Sequence, residues 1–190
     1  MRNATLTLDL PVGVTPRRAI KTLPLISDLG HSGLSDRRVL APLGDIERGT
    51  SQAVLVELMV LAQHPGGFRL AHVAVTYDAP NLGVFNAQVA TDALVEYVAD
   101  ATEAQAVDAQ VMNMAEKANA HRLVTRALDE YRETGKVTTR LAPNVLASLD
   151  SETQTALSQL AQGQASGSTA ETMVKEISQK TRRLTQRLNR

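Results

Sequence analysis

The sequence predicts an α+β protein, with an N-terminal antiparallel β-sandwich followed by a C-terminal helical hairpin or bundle. Three observations predict it. Up to about residue 91 apolar residues alternate with polar ones, the period of a strand, and from residue 92 they recur every three or four, the period of a helix. Turn-forming clusters punctuate the first half at short intervals with no helical stretch between them, which favours paired antiparallel sheets. A chain of 190 residues that is 43% hydrophobic can bury one large core or two small ones. The expected units are therefore a sandwich over 1–91 and a helical hairpin or three-helix region over 92–190. Aromatic content of only 3%, with no Trp, means that Leu, Val, Ile and Ala must fill both cores.

In the first half, Leu6, Leu8 and Leu10 alternate with Thr5, Thr7 and Asp9, which describes a half-buried strand ended by Pro11 and Gly13. Residues 19–26 form a weaker strand, pushed to an edge by Pro24. A third strand spans 38–43, and 44–49 is a turn-rich connector. The strongest strand covers 52–61. It has Val54, Val56, Leu58 and Val60 on one face and Leu55, Met59 and Leu61 on the other, as expected of a strand central to two layers. After the turn His64-Pro65-Gly66-Gly67 comes a strand over 68–78, with Ala71, Val73, Val75 and Tyr77 on one face. These two are expected to form a hairpin, and a last strand covers 84–89.

In the second half, Val107, Val111, Met114, Ala118, His121, Val124, Leu128 and Tyr131 follow one another at steps of three or four. The stripe extends back through Leu94, Val98 and Ala101 and stops at Gly135, a natural helix C-cap. It predicts one helix over 92–134, or two pieces broken near Asn119. A second helix fits 141–162, with Pro143 in its first turn and Leu146, Leu149, Thr153, Leu157 and Leu160 inward. Ser168-Thr169-Ala170-Glu171 has the pattern of a capping box, opening a last helix with Met173, Ile177, Leu184 and Leu188 on one face. Residues 92–116 carry six acids and no base, and 175–190 carry six bases and one acid. The favoured reading is that the basic helix packs beside the acidic one. The rival is a basic surface for nucleic acid or an acidic partner.

Several chemistries are excluded or unsupported. The chain has no Cys, so disulfides, thiol nucleophiles and Cys-based metal sites are excluded. Its net charge is zero, which argues against an overall electrostatic footprint for nucleic acid or anionic membrane, and no apolar run approaches the length of a membrane span. None of His31, His64, His72 and His121 has a second ligand at metal-binding spacing. His72 points away from the Val73 face, and His121 reads as a packed, hydrogen-bonded histidine. Gly30-His31-Ser32-Gly33 lacks the residues that follow a phosphate-binding loop and reads as a surface turn. Gln164-Ala165-Ser166-Gly167-Ser168 lacks the first Gly of a nucleophile elbow. Asp45 and Glu47 are a carboxylate pair in a turn, expected to be solvated. No enzyme activity, no catalytic or metal residue and no cofactor is expected.

One resemblance narrows the function. Leu43-Gly44-Asp45-Ile46-Glu47-Arg48-Gly49, followed by Ala53-Val54-Leu55-Val56-Glu57-Leu58, and later Val75-Thr76-Tyr77-Asp78 and Lys180-Thr181-Arg182-Arg183-Leu184, resembles the C-terminal region of bacterial von Willebrand factor type A domain-containing proteins. The type A domain itself has no counterpart here. Its metal site needs Asp-x-Ser-x-Ser, which this sequence lacks, so no metal residue carries over. The resemblance implies a sandwich-plus-helices module in the bacterial cytoplasm, with the type A domain lost or lying before Met1. It also implies a non-enzymatic role in protein–protein interaction, the partners including a type A domain in cis. Two alternatives stand beside it: a homo-oligomeric scaffold using the long helix as its seam, and nucleic-acid binding through 175–190. Nucleic acid is the least favoured partner, because that segment has no aromatic residue on which bases could stack. No membrane association is expected.

Overall fold

The computed structural model describes residues 1–30, 33–100, 102–105, 107–147, 149–163 and 167–184. Antiparallel sheets built from eight strands come first and helices follow. The strands are β1 (Arg2–Asp9), β2 (Val14–Leu23), β3 (Ser27–Asp28), β4 (Leu34–Ser35), β5 (Arg38–Gly44), β6 (Ala53–Val60), β7 (Gly66–Ala79) and β8 (Val84–Tyr97). The helices are α1 (Ala109–Thr134), α2 (Pro143–Ala147), α3 (Ser151–Ala161) and α4 (Gly167–Arg182).

The strands form two sheets, ordered β4-β5-β1-β7-β8 and β3-β2-β6. The alternation in β1 has the predicted consequence. Leu6 lies opposite Ala41 and Val75, and Leu8 opposite Val39 and Val73, so one face of three adjacent strands is apolar. Leu8, Leu10, Val14, Ala19, Val39 and Ala71 make the core between the sheets, with Val56 and Leu58 of β6 and Ala93 of β8 packed against it.

Three strand expectations are corrected. The segments 52–61 and 68–78 do not form a hairpin, because β6 and β7 lie in different sheets. The hairpin partner of β7 is β8, registered from Gly66 opposite Tyr97 to Ala79 opposite Val84. The turn Pro80-Asn81-Leu82-Gly83, with Gly83 at φ 66°, closes it more tightly than the longer linker before β7. β6 is an edge strand rather than a central one. Its Val56–Leu58 face meets the core, while Met59 and Leu61 of the other face are exposed. β8 runs to Tyr97, well past the expected end at Val89, so Leu94 belongs to a strand. The helical spacing of Leu94 and Val98 with the stripe that follows is a coincidence, since Leu94 lies in β8 and Val98 just beyond its end; Ala101 lies outside the described residues.

The chain accordingly divides into two compact units, Met1–Lys21 with Asp28–Asp108, and Thr22–Ser27 with Ala109–Arg190. The division falls after Asp108, not at 91/92. The helical unit also takes in a segment from the strand half: Leu23 and Ile26 are buried, and the Ile26 N–H donates to the Arg182 carbonyl at 2.9 Å. Within this unit α1 is one helix, continuous through Asn119, and Gly135 caps it with φ 69° and its N–H on the Tyr131 carbonyl. Val124 and Leu128 of α1 pack with Leu149, Leu157, Leu160, Ala170, Val174 and Ile177.

The expected helix over 141–162 is two. Asp150 takes an extended conformation and its carboxylate accepts the Thr153 N–H at 2.8 Å, starting α3 afresh. α4 begins at Gly167, so Ser168 already lies in the helix and does not cap it. Leu188 lies outside the described residues. The basic helix does pack beside the first long one, Val174 and Ile177 of α4 meeting Val124 and Leu128 of α1, but most of the acidic stretch lies before α1 begins. Lys180 of α4 pairs with Glu152 of α3, and Asp92 pairs with His72 and Arg69 on neighbouring strand β7.

Candidate functional site

At one end of the five-stranded sheet the start of β1, the end of β5 and the β7–β8 turn enclose an open cavity of about 620 Å³. Met1, Arg2, Asp45, Ile46, Glu47, Tyr77, Leu82 and Val84 are among its lining residues. The chain builds this place through two bulges. Register shifts between Arg2 and Thr5 in β1 and between Tyr77 and Ala79 in β7, and Asn3 and Asn86 both sit at φ 52°. Asn is among the few residues that enter this left-handed region readily.

Each bulge turns a donor towards Asp78. The Asn86 N–H donates to Oδ1 and the Asn3 side-chain amide to Oδ2, both at 2.9 Å. These bonds, the Asn86 amide first, hold the Asp78 carboxyl below the usual carboxylate range. The Asn3 N–H donates to Asp45 Oδ1 at 3.1 Å, and Met1 and Ile46 exchange two backbone bonds of 2.9 Å. Asn3 therefore ties together the Gly44–Gly49 turn and the Tyr77-Asp78 strand end, two separate stretches of the sequence. Asp45 and Asp78 act here as hydrogen-bond acceptors that hold backbone in place, which is a different task from proton transfer. Beside them the cavity carries exposed apolar side chains: Leu82 is 79% exposed and Val84 41%.

The other candidates scatter. His64 is exposed in the β6–β7 connection, and His121 is half-buried on α1. His31 and Ser166 lie outside the described residues. Asp45 and Glu47 share the cavity just described. Gly33 is needed for a close approach, since a Cβ there would stand 2.2 Å from the Leu40 carbonyl oxygen.

His72 has a partner that the sequence did not reveal, Asp92 Oδ1 at 2.7 Å from Nδ1. The pair belongs to a row crossing the outer face of the sheet. Arg38 pairs with Asp9, Asp9 lies opposite His72, and Asp92 also meets Arg69. A carboxylate can orient an imidazole for catalysis, but among the described residues no hydroxyl is hydrogen-bonded to His72, and the row is solvent-exposed. It is a surface ladder of the kind that contributes about 0–1 kcal/mol per pair. Among the described residues no three His, Cys, Asp or Glu side chains converge to hold a metal ion, and no helix is long and apolar enough to cross a membrane.

Comparison with solved structures finds this architecture in a von Willebrand factor type A protein from Catenulispora acidiphila, with a TM-score of 0.65. The two share 14% sequence identity, and 96% of this chain matches 46% of that one. The likeness is one of fold, and the chain spans less than half the length of that protein. No family model matches the sequence, and neither does any curated protein.

Proposed function

We propose that this chain is a non-enzymatic accessory module of a von Willebrand factor type A-like protein, and that it works by protein–protein interaction. The observation that carries the reading is the cavity at the sandwich end with its exposed apolar residues, Leu82 and Val84. The partner is a type A domain, in the same polypeptide or a separate one. The fold likeness supports this, because it pairs nearly the whole of this chain with less than half of a type A protein. The missing Asp-x-Ser-x-Ser supports it too, since the module would lend a surface to a domain that carries the metal.

The test is a calorimetric titration of the chain with the type A domain encoded in the same gene or the nearest neighbouring one. Binding should be weakened at least about tenfold by L82D or V84D, as expected when a charge enters an apolar contact. Absence of binding, or binding that neither substitution changes, sinks the proposal.

A further inference from the structure

The five-stranded sheet has two edges of very different character. One is β4, of two residues. The other is β8, of fourteen, which among the described residues pairs only with β7. Long edges are normally blunted with Lys, Pro or inward-pointing charge, because their unpaired N–H and C=O groups template further pairing. From Ala87 to Tyr97 β8 has no Lys, no Arg and no Pro. Val89 is 56% exposed and Leu94 75%. The bulge at Asn86 disturbs only the end of β8 next to the turn.

We propose that β8 is a self-association edge, pairing antiparallel with β8 of a second copy of this chain about a two-fold axis near Ala90. Charge selects this occupant and this register. The acids of β8, Asp92 and Glu96, both lie in its C-terminal half, and the stretch from Val84 to Thr91 is neutral. Antiparallel self-pairing centred on Ala90 sets Asp92 of each copy opposite Gln88 of the other, a carboxylate facing an amide donor. Val89 then faces Thr91. A centre at Asp92 would oppose like charges, which is unfavourable directly across a strand pair. Gln88, Ala90, Asp92 and Leu94 alternate onto one face of β8, so the pairing leaves the residues on the core side, Ala93 and Val95, undisturbed. A two-fold contact buries the same patch on both copies and closes on itself, which consumes the edge without leading to fibres. Leu82 lies in the turn before β8 and outside the pairing, and the proposal does not depend on the assignment made to the cavity.

The experiment is sedimentation equilibrium of the full chain, with thermal melts to show that each variant folds. The wild type should dimerise with concentration. Q88E places like charges opposite each other twice across the axis and should weaken the dimer about threefold or more, less so in high salt, whereas Q88K should tighten it. V89K with L94K should leave a folded monomer. A wild type that stays monomeric at high concentration overturns the proposal, as does a dimer indifferent to Gln88. L82D should leave this dimer intact, which separates the outcome from that of the type A domain titration.

Discussion

Glu130 and Thr139 fasten the end of α1 to the chain that leaves it. The Glu130 carboxylate accepts the Thr139 hydroxyl at 2.7 Å and its amide at 2.9 Å, and takes both donors of Thr138 at 3.0 Å. One side chain thus satisfies four donors and fixes the turn that follows Gly135. Replacing it with Gln keeps the size but gives up the charge and one acceptor oxygen. E130Q should lower the melting temperature of the helical unit by roughly 2–4 °C. Circular dichroism at 222 nm measures this, and an unchanged melt would show the clasp to be dispensable.

The same bonds make stability depend on acid. They hold the Glu130 carboxyl down to about 2 from a starting value of 4.5, the Thr139 hydroxyl contributing most and its amide next. Because the folded value is the lower one, the stabilisation is complete above pH 4.5. It is lost as pH falls from there towards 2, where the unfolded chain takes up a proton that the folded chain refuses. Asp150 at the start of α3 is shifted in the same direction, chiefly by the Thr153 amide. Urea midpoints should therefore fall steeply below pH 4.5, with a shallower slope in E130Q.

Asn86 is held at φ 52° where β8 bulges beside Asp78. A β-branched residue strains in that region and Gly does not. N86V should destabilise the sandwich by about 1–2 kcal/mol and N86G by much less. Chemical denaturation of the two variants gives the comparison, and equal losses would contradict the account.

Ile26 is 1% exposed and groups with the helices, although its neighbours in sequence are strands. I26A should cost about 2–5 kcal/mol. Hydrogen exchange should quicken at the end of α4, around Arg182, before it does in β1 or β7.

How far the sequence foretells these features depends on whether their cause is local. β1 and β5 were legible because Leu6, Leu8 and Leu10, and Val39, Ala41 and Leu43, alternate without ambiguity. The length of β8 was not, because Ala87, Ala90 and Ala93 suit strand and helix alike and Leu94 falls in step with the stripe of α1. The separation of α2 from α3 hangs on one cap, Asp150, placed among residues that also continue a helical stripe. The candidate site was half legible. Its two stretches, Gly44–Gly49 and Tyr77-Asp78, stand out as motifs, but the residue that joins them does not. Asn3 reaches both only because β1 lies between β5 and β7 and bulges at that point, and neither sheet order nor bulge is written in local spacing. The His72–Asp92 pair was hidden for the same reason, since it needs the register of β7 on β8.

The placement of Thr22–Ser27 among the helices has a consequence during synthesis. This segment leaves the ribosome well before its partner carbonyl on Arg182 is made. Leu23 and Ile26 must wait uncovered until the helices that they pack with have been made. The nascent chain therefore carries an apolar stretch that helices made much later cover, and a chain truncated before α4 keeps that stretch open to chaperones and proteases.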